Sequence, residues 1–130
     1  MPRAYTVATA ALALGVSAKW IDNVLSHNDV TGVSQAKQGV ARRLSVESLI
    51  ILTISVSVIK DLDVPVAKAL SLAAQLLQSR GTATLPSGAR LQIDVEQTTT
   101  DLHQRLEHAV EIAPLPRRGR PPQKTTGRLD

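Results

Sequence analysis

The sequence predicts a mainly α domain with a small β component, an α+β fold. Three observations lead there. Apolar residues recur at helical spacing in five stretches, each opened by a capping residue or a proline. Two turn-rich stretches, 27–44 and 82–95, carry the short alternations of strands. The chain has 130 residues, no Cys, and only Tyr5 and Trp20 as aromatics. The core must therefore be aliphatic, and disulfides, thiolate metal sites and cysteine nucleophiles are excluded. A domain of this length buries a core without a metal or crosslink.

Residues 5–7 form a short extended entry. Thr6 caps a first helix to about Leu14, with Val7, Ala10, Ala11 and Leu14 on one face. Gly15 suits the left-handed turn that ends a helix, and Ser17 caps a second helix over 18–26. Trp20, Ile21, Val24 and Leu25 are its apolar residues. Two helices joined by a three-residue turn containing Gly form the helix-turn-helix arrangement, although ordinary helical corners share it. Ala11, four residues before Gly15, allows a close crossing, and Val16 plugs the base of the corner. Ala18, Lys19, Asp22, Asn23 and Ser26 then point outward. They are small or polar, as a helix entering a major groove requires.

In residues 27–44, Val33 and Val40-Ala41 are the expected arms of a hairpin around residues 35–39. With Lys37, Arg42 and Arg43 it would be a wing, its cations reaching phosphates beside the second helix. Ser45 caps a helix to about Lys60, apolar on most sides, with Glu47 favouring the positive end of its dipole. Its β-branched residues make a strand the alternative. Residues 61–64 are a break. Pro65 opens a fourth helix over 66–78, with Ala69, Leu70, Ala73, Leu76 and Leu77 buried.

Pro86, Ser87 and Gly88 mark a turn between 83–85 and 89–95, where Leu91, Ile93 and Val95 alternate as in a half-buried strand. Thr98 with Asp101 matches a capping box. Leu102, Leu106, Ala109 and Ala113 follow at helical spacing. This stripe either closes onto its own chain or pairs with a second copy, and a homodimer through residues 82–113 is the expectation. The organisation is thus a winged helix-turn-helix over 1–80, a strand-plus-helix oligomerisation element over 81–113 and a tail over 114–130.

These residues resemble the MerR superfamily of winged helix-turn-helix DNA-binding domains. The match runs through Tyr5, Thr6, Val7, Ala10, Ala11, Leu14, Gly15, Val16 and Ser17. It continues through 39–44, Ser45, Leu49 and the Asp63, Val64, Pro65 break, covering roughly residues 4–78. In the family a wing Arg precedes an aromatic by two residues and a Ser then starts the next helix. Arg42, Leu44 and Ser45 take those places. The second helix departs from the family, with Ser17, Ala18, Lys19 and Trp20 where an Arg-rich, Tyr-containing start is usual. The Cys ligands of the metal-sensing members and the long dimerising helix are missing.

Charge is unevenly placed. Residues 1–113 hold ten basic and ten acidic side chains, whereas 114–130 hold five basic against Asp130. The whole formal excess of +4 therefore sits in a Pro-rich tail expected to be disordered when free. Polyanions are its natural partners, and a solubilising role is the alternative. Arg118, Gly119, Arg120 and Pro121, preceded by Arg117, are similar to an AT-hook core. There Gly lets the backbone approach the minor-groove floor while the arginines follow its negative potential.

No secretory start precedes an apolar run, and 49–59 is too short to span a membrane, so a cytoplasmic, nucleoid-associated location is expected. His27, His103 and His108 show no repeating metal-ligand spacing. There is no phosphate loop and no nucleophile elbow. Neither a cofactor nor an enzyme is expected, and no ligand pocket is evident.

The expected function is a sequence-specific DNA-binding transcriptional regulator, acting as a repressor. Ser17, Lys19 and Asn23 would contact the major groove. Lys37, Arg42 and Arg43 would hold the backbone, with Arg117, Arg118 and Arg120 as an anchor. The alternatives are an antitoxin that binds its toxin through residues 82–130, an excisionase-like architectural factor, and an interaction module that never touches DNA.

Overall fold

The computed structural model describes residues 3–35 and 41–112. The order of elements is β1 (Ala4–Tyr5), α1 (Val7–Leu14), α2 (Ala18–His27), β2 (Val33–Ser34), β3 (Arg43–Ser45), α3 (Val46–Leu62), α4 (Val66–Gln78), β4 (Thr82–Thr84), β5 (Arg90–Gln92) and α5 (Val95–Ile112). The fold is mainly α with two small antiparallel sheets, one ordered β1-β3-β2 and one pairing β4 with β5.

Each early helix begins where its capping residue predicts. The Thr6 hydroxyl accepts from the Thr9 amide at 3.1 Å, and the Ser45 hydroxyl accepts from the Ser48 amide at 3.1 Å. Such caps satisfy amides that have no partner inside the helix, and each contributes about 1 kcal/mol. α3 is a helix despite its β-branched residues. Its buried hydroxyls are satisfied locally, Thr53 donating to the Leu49 carbonyl at 2.7 Å and Ser55 to the Ile51 carbonyl at 2.8 Å. α3 ends at Leu62, later than expected, and Asp63 closes it in the left-handed conformation. α4 spans the predicted residues, but Leu72 is buried and Leu77 only half-buried.

Two expectations are corrected here. The second hairpin arm is Arg43–Ser45 rather than Val40-Ala41, of which Val40 lies outside the described residues. The strand forms around Leu44, which is fully buried while Arg43 beside it faces outward. β1 also joins this hairpin, with Tyr5 opposite Leu44. The second correction concerns α5. The helix starts at Val95, and the Asp94 carboxylate accepts from the Gln97 amide at 3.0 Å. Thr98 lies inside the helix, donating to the Asp94 carbonyl, and Asp101 accepts from the Gln97 side chain. A carboxylate just outside the first turn meets the positive end of the dipole, where a hydroxyl carries no charge.

α1 is the element on which the site stands. It packs against α2, α3 and α5, and Ala10, Ala11 and Ala13 are all buried. Small side chains let three helices approach one short helix. Leu102, Leu106 and Ala109 of α5 fall in the same core cluster as Leu49 and Leu52 of α3. The described part of the apolar stripe is therefore covered within its own chain, while Ala113 lies outside the described residues, and the core continues past residue 80.

Candidate nucleic-acid interface

The corner between α1 and α2 sets which face of α2 meets solvent. Gly15 adopts a φ of 71°, and the amides of Gly15 and Val16 both point to the Ala11 carbonyl, at 2.9 and 3.1 Å. Ser17 then returns to extended backbone, and its hydroxyl accepts from the Trp20 amide at 3.0 Å. Ile21 and Val24 turn inward and are buried. Ala18, Lys19, Asp22, Asn23 and Ser26 are exposed, as the spacing predicts. The far end of α2 is tied off by the His27 ring on the Asn23 carbonyl (2.9 Å) and the Asn28 amide on the Val24 carbonyl (3.0 Å).

The predicted contacts occupy different situations. Ser17 is engaged as a cap, which leaves its hydroxyl hydrogen for an outside acceptor. The side chains of Lys19 and Asn23 are exposed, with no hydrogen bond to a described residue. Arg43 is exposed on β3, with Ser34 of β2 as its register partner. Arg42 is not a free cation. One guanidinium nitrogen lies 3.1 Å from Asp22 Oδ1 and the other donates to Ser26 Oγ at 3.2 Å. Ser26 Oγ in turn donates to the Asp22 carbonyl at 2.8 Å. Arg42 thus fastens the hairpin to the outward edge of α2. Lys37, Arg117, Arg118 and Arg120 lie outside the described residues.

Sequence reasoning placed Asp22 and Ser26 on the outward face but gave them no task. Their spacing of four, one helical turn, was a visible signal. What could not be read was that Arg42, sixteen residues beyond Ser26, returns to that turn.

The hairpin is also held at its root. Gly32, with a φ of 93°, lies against the Ser45 hydroxyl so closely that any side chain there would collide with it. The Ser45 amide donates to the Gly32 carbonyl at 3.0 Å. Ser45 is both the last residue of β3 and the cap of α3, so no linker separates hairpin from helix.

Elsewhere, a mostly apolar hollow of about 200 Å³ lies among Ile54, Val58, Leu62, Leu91 and Ile93. The expectation that no pocket is evident is corrected: this hollow is small against ligand sites of about 300–1,000 Å³, but open hollows of about 500, 710 and 740 Å³ also lie around α5. Among the described residues no group of three or more His, Asp or Glu could hold a metal ion, and no helix is long and apolar enough to cross a membrane. Comparison of the chain with protein-family models, with curated proteins and with solved structures gave no match.

Proposed function

We propose that the protein is a sequence-specific DNA-binding transcriptional regulator that represses by occupying its site. One observation carries this reading: a helix-turn-helix presents a small, polar helix face with a basic hairpin fastened along its edge. A helix entering the major groove needs a face without bulky apolar groups, and the side chains of Lys19 and Asn23 there make no hydrogen bond to a described residue. Asn matches adenine through its paired donor and acceptor, while Lys19 and Arg43 supply phosphate contacts. The resemblance to MerR-type domains supports the same reading. The basic tail supplies further phosphate or minor-groove affinity through its tether.

The proposal includes a homodimer, because a single half-site gives too little affinity and specificity. Since Leu102, Leu106 and Ala109 are already covered, the pairing surface is the outside of α1 and α5. Exposed Leu12 and Ile112 there line one hollow. The antitoxin reading gains no support from α5, whose apolar stripe is occupied by its own chain.

The test is a salt-dependent binding titration on the DNA upstream of the coding sequence against random DNA. It compares the full chain, a Lys19→Ala/Asn23→Ala variant and an Arg118→Ala/Arg120→Ala variant. The expected result is affinity that falls steeply with salt in all three. Preference for the upstream DNA falls only in the α2 variant. Binding without preference by the unaltered chain overturns the reading.

A further inference from the structure

On the DNA-binding reading above rests a more specific one. We propose that Asp22 reads the amino group of a cytosine in the major groove, with Arg42 as the positioning residue that holds and neutralises it.

A carboxylate on a face that meets a polyanion is anomalous, because it repels the phosphates that the neighbouring cations attract. Asp22 stands on that face between Lys19 and Asn23, with about half of its side chain exposed. Its charge is met by a built arrangement rather than a chance encounter. The Arg42 guanidinium spans one turn of α2, reaching Asp22 Oδ1 with one nitrogen and Ser26 Oγ with the other. Ser26 is oriented to accept by donating to the Asp22 carbonyl. Arg42 is itself only 22% exposed.

The arrangement fixes the carboxylate and cancels its charge, yet occupies only Oδ1. No described residue donates to Oδ2. What remains is an acceptor that no described residue fills, carried on the outward edge of the helix. Cytosine presents an amino donor without an adjacent acceptor in the major groove, whereas adenine pairs its amino group with N7 and is matched by an amide. Asp22 and Asn23, adjacent in sequence, are thereby suited to different bases.

The test is selection of duplexes from a random pool by the full-length protein, followed by sequencing. Asp22→Asn, Arg42→Ala and Asp22→Ala/Arg42→Ala are run in parallel, and circular dichroism verifies that each is folded. Unaltered protein should enrich a motif with a G·C pair at one fixed position. Asp22→Asn should lose about tenfold of the preference at that position and leave the others intact. Arg42→Ala should weaken binding to every sequence, and the double variant should recover affinity, since the unneutralised carboxylate is gone. An unchanged motif in Asp22→Asn overturns the cytosine contact. Equal weakening in the Arg42 single and double variants, with a salt slope reduced by about one, makes Arg42 a phosphate contact and overturns its positioning role. If the unaltered protein enriches nothing, the DNA-binding reading falls and this inference with it.

Discussion

α2 and α5 solve the same packing problem and leave different remainders. Each lays an apolar stripe on α1, Ile21 and Val24 from one side, Leu102, Leu106 and Ala109 from another. The outward side of α5 carries His103, Gln104, Arg105, Glu107 and His108, long and charged residues of both signs. Such side chains solvate most of that face, whose end beside Leu12 also carries the exposed Ile112. The outward side of α2 carries Ala18, Lys19, Asp22, Asn23 and Ser26, short enough for another surface to approach the helix closely. Burial alone therefore does not separate the two helices. The size and commitment of the exposed side chains do.

The sharpest way to break this comparison is to damage the stripe of α5. Leu106→Ala removes a side chain that is 1% exposed, and it should destabilise the fold by about 2–5 kcal/mol. Because Leu106 is covered by its own chain, the loss read by chemical denaturation should be independent of protein concentration. A loss that grows on dilution would move this stripe to a subunit interface.

A smaller effect belongs to the corner. Nothing lies within 4 Å of where a Cβ at Gly15 would stand, so Gly15→Ala meets no clash. It pays only for the left-handed conformation, about 1–2 kcal/mol. Thermal unfolding should show this modest loss, and proline at the same position should do far more harm.

The smallest expected effect on stability bears on the proposed function. Lys19→Ala should change unfolding free energy by less than about 0.5 kcal/mol, as exposed positions do. The slope of log affinity against log salt should become shallower by about 0.9 if Lys19 holds one phosphate. An unaltered slope would remove Lys19 from the interface.

Most of the helical frame was legible because local chemistry dictates it. Thr6, Gly15, Ser17, Ser45 and Pro65 each stand where a helix starts or stops, the first four through bonds to residues within a few positions and Pro65 through its fixed backbone angle. The misplacements occurred where the deciding partner is distant. β3 settles around Leu44 because β1 and the core receive that side chain, a contact across some forty residues. Thr98 and Asp101 satisfy the sequence pattern of a capping box, but Asp94 takes the start of the helix ahead of them. The apolar stripe of α5 was plain, but which surface covers it was not, since α1 lies almost ninety residues earlier. In the candidate interface, the exposed face of α2 followed from periodicity. The engagement of Arg42 did not, because it depends on how the hairpin folds back.

Ser45 ends a strand and begins a helix with no residue between them, and Gly32 is seated against it. With Arg42 fastened to α2 as well, the described part of the hairpin has two anchorages. Swinging it would require unwinding the first turn of α3, whose remainder is clamped in the core. If the partner is the double helix proposed above, this anchored part would act as a template, and adjustment on docking would fall on the DNA. Discrimination would extend to base pairs that no side chain touches, through how readily each step bends or narrows its groove.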